Sequence, residues 1–270
     1  MISMSKEPPS IEVLRSFTEE LVNLSLSILN SIKIKDQNDH MGFMAYHFVR
    51  SQIEHLKSIN TLVDAGQYGD GIIIARTMID GCAILYWAGQ EPEVRPLDWR
   101  YYSWVEQFRR SYGKMMDSID KKEMDSMLER YCQRFLKDDA KGKSQEDIVP
   151  DDYLKGWRKD KNKHKKLINI TASDMFKKVG LTSQSGEADL YQCVYVNASE
   201  RIHWDPLGLY ELTLNDEGLK NKGGEALVTG FYSLYLSLAG LNAYFRLKFD
   251  HDLKELYDRL NARHLSSKMK

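Results

Sequence analysis

The sequence predicts an all-α protein: a single multi-helix bundle with a polar, partly irregular insertion. Three observations carry that prediction. Apolar residues recur at three- and four-residue steps through successive segments, the spacing that lines one face of a helix. No segment reads convincingly as a strand, apart from a short extended piece near residues 209–214. The chain has 270 residues, 42% hydrophobic and 29% charged, enough to bury a core and too apolar for a disordered polymer.

The elements follow in order. After Pro8-Pro9-Ser10, a start signal, residues 10–34 carry Ile11, Val13, Leu14, Phe17, Leu21, Leu24, Leu26 and Leu29 at helical steps. Residues 40–65 repeat the pattern with Phe43, Met44, Phe48, Ile53, Leu56, Ile59 and Leu62, and Gly66 is placed to cap the end. Residues 68–90 are apolar on every side, which puts that helix at the centre of the bundle. Pro92 and Pro96 mark a turn, after which 97–117 and 121–136 form a third hairpin. Residues 137–166 are polar, contain Pro150 and end in a basic run, and read as an exposed insertion. Helix resumes over 171–179 and 186–203. Residues 206–224 read as a loop, 225–248 as a long apolar helix, and 250–270 as a charged tail containing a helix at 252–262.

Residues 226–245 contain no charge and are long enough to cross a bilayer. Thr229, Ser233, Ser237, Asn242, three tyrosines and two glycines punctuate them, as suits a buried bundle helix whose polar groups find partners on neighbours. No membrane is therefore expected. The balance of 38 basic against 39 acidic residues commits the chain to no polyanion. Cys82, Cys132 and Cys193 are too few and too far apart for a disulfide framework or a zinc knuckle. With no apolar leader at the start, a reducing cytoplasm is the default. No metal and no cofactor is expected, since no Walker loop, GxGxxG, HExxH or EF-hand pattern occurs.

Four residues form a candidate pocket. Past its first turn the central helix carries only two charges, Arg76 and Asp80, four apart and so on one face. Charge in so apolar a helix has a reason: either a structural ion pair, or an arginine facing an anionic ligand with the acid holding its guanidinium. Near residue 203, Tyr195, Ser199 and His203 lie four apart and stack on one helical face before Pro206 ends the helix. His203 near a helix C-terminus is either a capping histidine or a general acid/base, with Ser199 to orient it. The run Lys155, Trp157, Arg158, Lys159, Lys161, Lys163, Lys165 and Lys166 reads either as a solvated loop or as a grip on nucleic-acid backbone, with Trp157 to stack.

These pieces, in this order, resemble the uncharacterised helical family catalogued as domain of unknown function 5677. The resemblance rests on Ala65-Gly-Gln-Tyr68 leading into Ala75-Arg76-Thr-Met-Ile-Asp80, on Asp98-Trp-Arg-Tyr-Tyr102, on Trp157 with its lysines, and on Tyr195-x-x-x-Ser199-x-x-x-His203. Asp80 stands where the family pattern has glutamate. The resemblance implies a helical fold and singles out Arg76, Ser199 and His203, without implying a reaction. The chain also resembles, less closely, the helical HEPN nucleases, marked by an arginine followed four to six residues later by a histidine. Arg50/His55 fits that mark within a predicted helix, and Arg158/His164, Arg246/His251 and Arg259/His264 fit it elsewhere.

Two functions are expected on these grounds. The first is an interaction or ligand-binding module with a polar pocket, as in a bacterial stress or phage-defence system, with a protein partner or a second copy of itself. The alternative is a metal-independent ribonuclease. There Arg76 or Arg50 would steady the phosphate, His203 or His55 would move protons, and the lysine run would hold RNA.

Overall fold

The computed structural model describes residues 10–33, 39–93, 95, 96, 99 and 214–266. These form five helices: α1 (Ile11–Ser31), α2 (His40–Asp64), α3 (Tyr68–Gly89), α4 (Asp216–Phe245) and α5 (Asp250–Ser266). Among the described residues there is no strand, so the all-α prediction holds. The third hairpin, the 137–166 insertion, the helices at 171–179 and 186–203, and all but Leu214 of the extended piece lie outside the described residues.

Three of the helices, α1, α2 and α4, begin where a side chain takes up a free backbone N–H, whereas Gln67 before α3 makes no such bond. Ser10 accepts from Val13 N at 3.4 Å, Asp39 from Gly42 N at 2.6 Å, and Asn215 from Gly218 N at 2.8 Å. The Asn215 cap explains a correction. Residues 216–224, read above as loop, are the first turns of α4. Asn215-Asp216-Glu217 is a cap followed by two acids, favoured at the positive end of a helix dipole, and not a free turn. Gly223 is needed there, since a Cβ would come within 2.5 Å of Tyr68 Cδ1.

The end of α2 is as predicted. Gly66 has φ +72°, its N–H bonds Val63 O at 3.1 Å, and Gln67 N–H bonds Leu62 O at 2.8 Å, the paired closure of a Schellman motif. The end of α4 repeats this geometry without the glycine. Arg246 N–H reaches Ala243 O at 3.3 Å and Leu247 N–H reaches Asn242 O at 2.9 Å, while Arg246 itself sits at φ 52°. A side chain in that left-handed region costs about 1 kcal/mol or more. Arg246→Gly is therefore expected to stabilise the protein by about 1 kcal/mol, read from the urea midpoint at unchanged m-value.

The helices share one core. Leu14, Phe17, Leu21, Ile28 and Leu29 of α1 meet Met44, Val49, Ile53, Leu56 and Ile59 of α2. Ile72, Ala75, Met78 and Leu85 of α3, Leu227, Phe231, Leu234, Leu238 and Leu241 of α4, and Leu253, Leu256 and Leu260 of α5 complete it. Leu26, counted above with the apolar face of α1, is 39% exposed, because the buried stripe runs through Thr18, Val22 and Ser25 instead.

Among the described helices α4 packs against all four others, whereas α3 packs closely on α2 and α4. Both α3 and α4 are long and apolar enough to cross a membrane, yet over half of each one's most apolar window is buried against the rest of the protein. Ser237 Oγ of α4 donates to Ser233 O of its own helix at 2.8 Å and also meets the Cys82 thiol of α3, while Ser25 of α1 donates to Leu21 O at 2.6 Å.

Surface ion pairs tie the rim. Arg15 of α1 grips Asp64 at the end of α2 with both terminal nitrogens, each at 2.9 Å. Arg259 of α5 pairs with Glu20 of α1 and lies over the Phe17 ring.

Candidate functional site

The seam between α2 and α3 is where the described candidate residues fall. The two helices run antiparallel through the short turn at Gly66, so Gln52 of α2 comes level with Met78 and Gly81 of α3. Gln52 occupies a core position in the Val49, Gln52, Leu56, Ile59 series and is 2% exposed. Its Nε2 donates to Met78 O at 2.7 Å, and its Oε1 is buried without a hydrogen-bond partner. The absence of a side chain at Gly81 makes room for that amide: a Cβ there would stand 2.9 Å from Gln52 Nε2 and 3.6 Å from Phe48 Cδ1. Trp99 meets Phe48 edge-on at 5.2 Å between ring centres.

Arg76 and Asp80 sit beside this seam. On α3 the fully buried side chains include Ile72, Ala75, Ile79 and Cys82, while Ile73, Arg76, Thr77, Asp80 and Ile84 form a stripe that is half-buried or exposed. At 100° per residue these are different faces of one helix. The two charges thus lie at the edge of the core, where each side chain keeps some access to water. Burial pushes the Asp80 carboxyl up from 3.8 to about 6, and the neighbouring Arg76 charge pulls the other way without overcoming it.

Asp80 is consequently a carboxyl that takes up a proton at about 6 in the folded state and only near 3.8 in the unfolded state. Because the folded form binds the extra proton between those values, stability falls as pH rises from about 4 to about 6. Asp80→Asn is expected to remove that component. Its gain over the wild type, about 1–2 kcal/mol once solvent screening is allowed for, should be present at pH 7 and vanish below pH 4. Urea unfolding at both pH values checks this.

Arg50 and His55 also lie on α2. Arg50 is exposed and His55 half-buried. Five residues turn a helix by about 140°, so the pair does not share a face. Desolvation holds the His55 imidazole below its ordinary value, which keeps it neutral at pH 7, and its Nε2 stands 3.4 Å from Ser51 Oγ. Of the other spaced pairs, Arg158/His164 lies outside the described residues, as does the side chain of His264. Arg246 closes α4, His251 is exposed beside Glu255, and Arg259 is bound to Glu20.

Ser199, His203 and the basic run from Lys155 to Lys166 lie outside the described residues, as does their meeting with Arg76. Gln52 escaped the sequence reading. The available signal was a polar residue at a position of the helical repeat otherwise held by Val49, Leu56 and Ile59. Among the described residues no group of three His, Cys, Asp or Glu side chains is placed to hold a metal ion. Cys82, buried against Ser237, has its thiol pushed up to about 12 by desolvation, so it is a packing residue and no nucleophile.

Fold and seam together define an all-α protein with charged groups set into the edge of an apolar core. The chain belongs to a family of unknown function, domain of unknown function 5677, whose match spans residues 42–220 and hence the whole α2–α3 seam. No curated protein and no solved structure matches it.

Proposed function

We propose that this protein is a ligand-binding or interaction module whose site is the Arg76–Asp80 edge of α3, and that the ligand is anionic, carrying phosphate or carboxylate. The observation that carries this is the placement of both charges one turn apart at the margin of the core, with water access, in a helix whose opposite face is packed. A guanidinium there is partly desolvated, which strengthens its attraction for an anion. A carboxyl that protonates near 6 gives way to an incoming negative charge more readily than an ordinary aspartate.

The test is calorimetric titration of the protein with inorganic phosphate and with a short RNA at pH 6 and pH 8. Tighter binding at pH 6, lost in Arg76→Gln while the helical circular dichroism is retained, would support the reading. Equal binding by Arg76→Gln would sink it.

A second reading, a metal-independent ribonuclease, has the neutral His55 in its favour, since a base must be unprotonated at working pH. RNA cleavage in EDTA by the wild type, abolished in His55→Ala or His203→Ala, would establish it. No cleavage by the wild type would remove it.

A further inference from the structure

A second site lies at the other end of α3. A cavity of about 330 Å³ opens where α3 and α4 both end, beside the start of α2. Met41 and Leu85 are buried in its wall, Tyr86 is half-buried, and Ala243 and Tyr244 are exposed at its mouth. That volume lies at the lower end of the range of small-molecule pockets.

The α4 wall of the cavity is kept flat by Gly240, for a reason that packing does not supply. Gly230, three turns earlier, is required by close approach, since a Cβ there would fall 2.9 Å from Leu56 Cδ1. A Cβ at Gly240 would meet nothing nearer than Tyr86 Cε2 at 3.8 Å, an ordinary contact. Glycine inside a helix is disfavoured relative to alanine. Its presence here leaves α4 backbone facing the space beside the Tyr86 ring.

The electrostatics of the mouth are negative on balance, since two helix C-termini and a carboxylate meet there against the single N-terminus of α2. α3 and α4 both bring their carbonyl ends to it, the negative poles of their dipoles. Asp39 adds a carboxylate, which accepts from Tyr244 O–H at 2.6 Å and from the amide of Gly42. Burial first, then the Asp39 and Glu93 carboxylates, push the Tyr244 phenol up against an opposing pull from the Gly42 backbone. The one cation inside the turn after α3, Arg95, is taken up by Glu91, Gln90 and Trp87 O.

The two phenols are committed donors, Tyr86 O–H to Leu236 O at 3.0 Å and Tyr244 O–H to Asp39. What they can still offer is an acceptor lone pair and an aromatic face. A ligand matched to this cavity therefore has an apolar body, a hydrogen-bond donor and a positive charge. We propose that the cavity binds a small organic cation, an ammonium on an apolar or aromatic body. This site is separate from the anion site proposed at Arg76.

The test is calorimetric titration of the full chain with benzylammonium, benzyl alcohol and benzoate. Benzylammonium is expected to bind, the neutral alcohol about fivefold more weakly or worse, and benzoate not at all. Gly240→Leu and Ala243→Leu, which fill the cavity from its wall and from its mouth, should each abolish binding. Asp39→Asn, which keeps an α2 cap but removes the charge, should weaken it about fivefold. Ala243 is exposed, so its variant is expected to fold even where Gly240→Leu does not. No binding of benzylammonium, equal binding of the alcohol, or unchanged affinity in Ala243→Leu would overturn the proposal.

Discussion

Replacing Phe231 with alanine is expected to destabilise the protein by about 4 kcal/mol, read as a drop in the urea midpoint at unchanged m-value. Phe231 is 1% exposed and sits midway along α4, the helix that packs on every other described one. Its ring lies nearly parallel to Tyr235 at 6.3 Å and edge-on to Tyr232 at 5.7 Å. Those two rings continue to Tyr257 of α5 at 5.3 Å and 6.0 Å. Removing Phe231 therefore forfeits its transfer energy and leaves a cavity that cannot collapse cheaply, because helices on several sides would have to move together. A loss below about 2 kcal/mol would mean that α4 is free to shift, and that the core is less tightly shared than described.

Replacing Asn242 with leucine is expected to cost about 3 kcal/mol, although the side chain keeps nearly the same volume. Asn242 is 1% exposed and uses both ends of its amide. Nδ2 donates to Asp250 Oδ1 at 2.8 Å and Oδ1 accepts from Phe249 N at 3.2 Å, so one side chain fixes the turn between α4 and α5. Leucine would leave the Phe249 N–H unpaired and take a charge-assisted bond from Asp250, and neither loss is offset by packing. Unfolding should register the full cost. Amide hydrogen exchange should also accelerate first in residues 249–261, since α5 hangs on this turn. A neutral result would show that water replaces the amide without penalty.

The contrast between what the sequence disclosed and what it hid follows from range. Helix positions were legible because the apolar repeat and the caps act within a few residues: Ser10 and Gly66 each did what their residue type does locally. The start of α4 was misjudged because Asn, Asp and Gly serve turns and helix starts alike. A second cue lies more than a hundred residues away, where Tyr68 packs on Gly223. The rank of α4 among the described helices was hidden for a related reason. α3 is more uniformly apolar than α4, but hydrophobicity reports how much a helix can bury, not how many partners it meets.

The candidate site was legible in the same partial way. Arg76 and Asp80 stood out as charges in an apolar run, and burial does perturb Asp80. The sequence could not say that they sit at the margin of the core, since that depends on which face α2 and α4 cover. Gln52, Tyr86 and Tyr244 went unnoticed because each is ordinary in its own segment and acquires a role only across helices.

The reach of α4 bears on how the family should be handled at the bench. Residues 42–220 stop inside the opening turns of α4 and begin two residues after the start of α2, beyond its Asp39 cap. The borders of the family match and those of the described helices thus differ. A gene fragment cut at the shared borders would keep the α2–α3 seam and discard the helix that wraps it, together with α1 and α5. Leu56, Ile59 and Met78, all sealed in the intact chain, would face the solvent bare. Such a fragment is expected to be found in inclusion bodies, and its silence in any assay would say nothing about the activity of the whole.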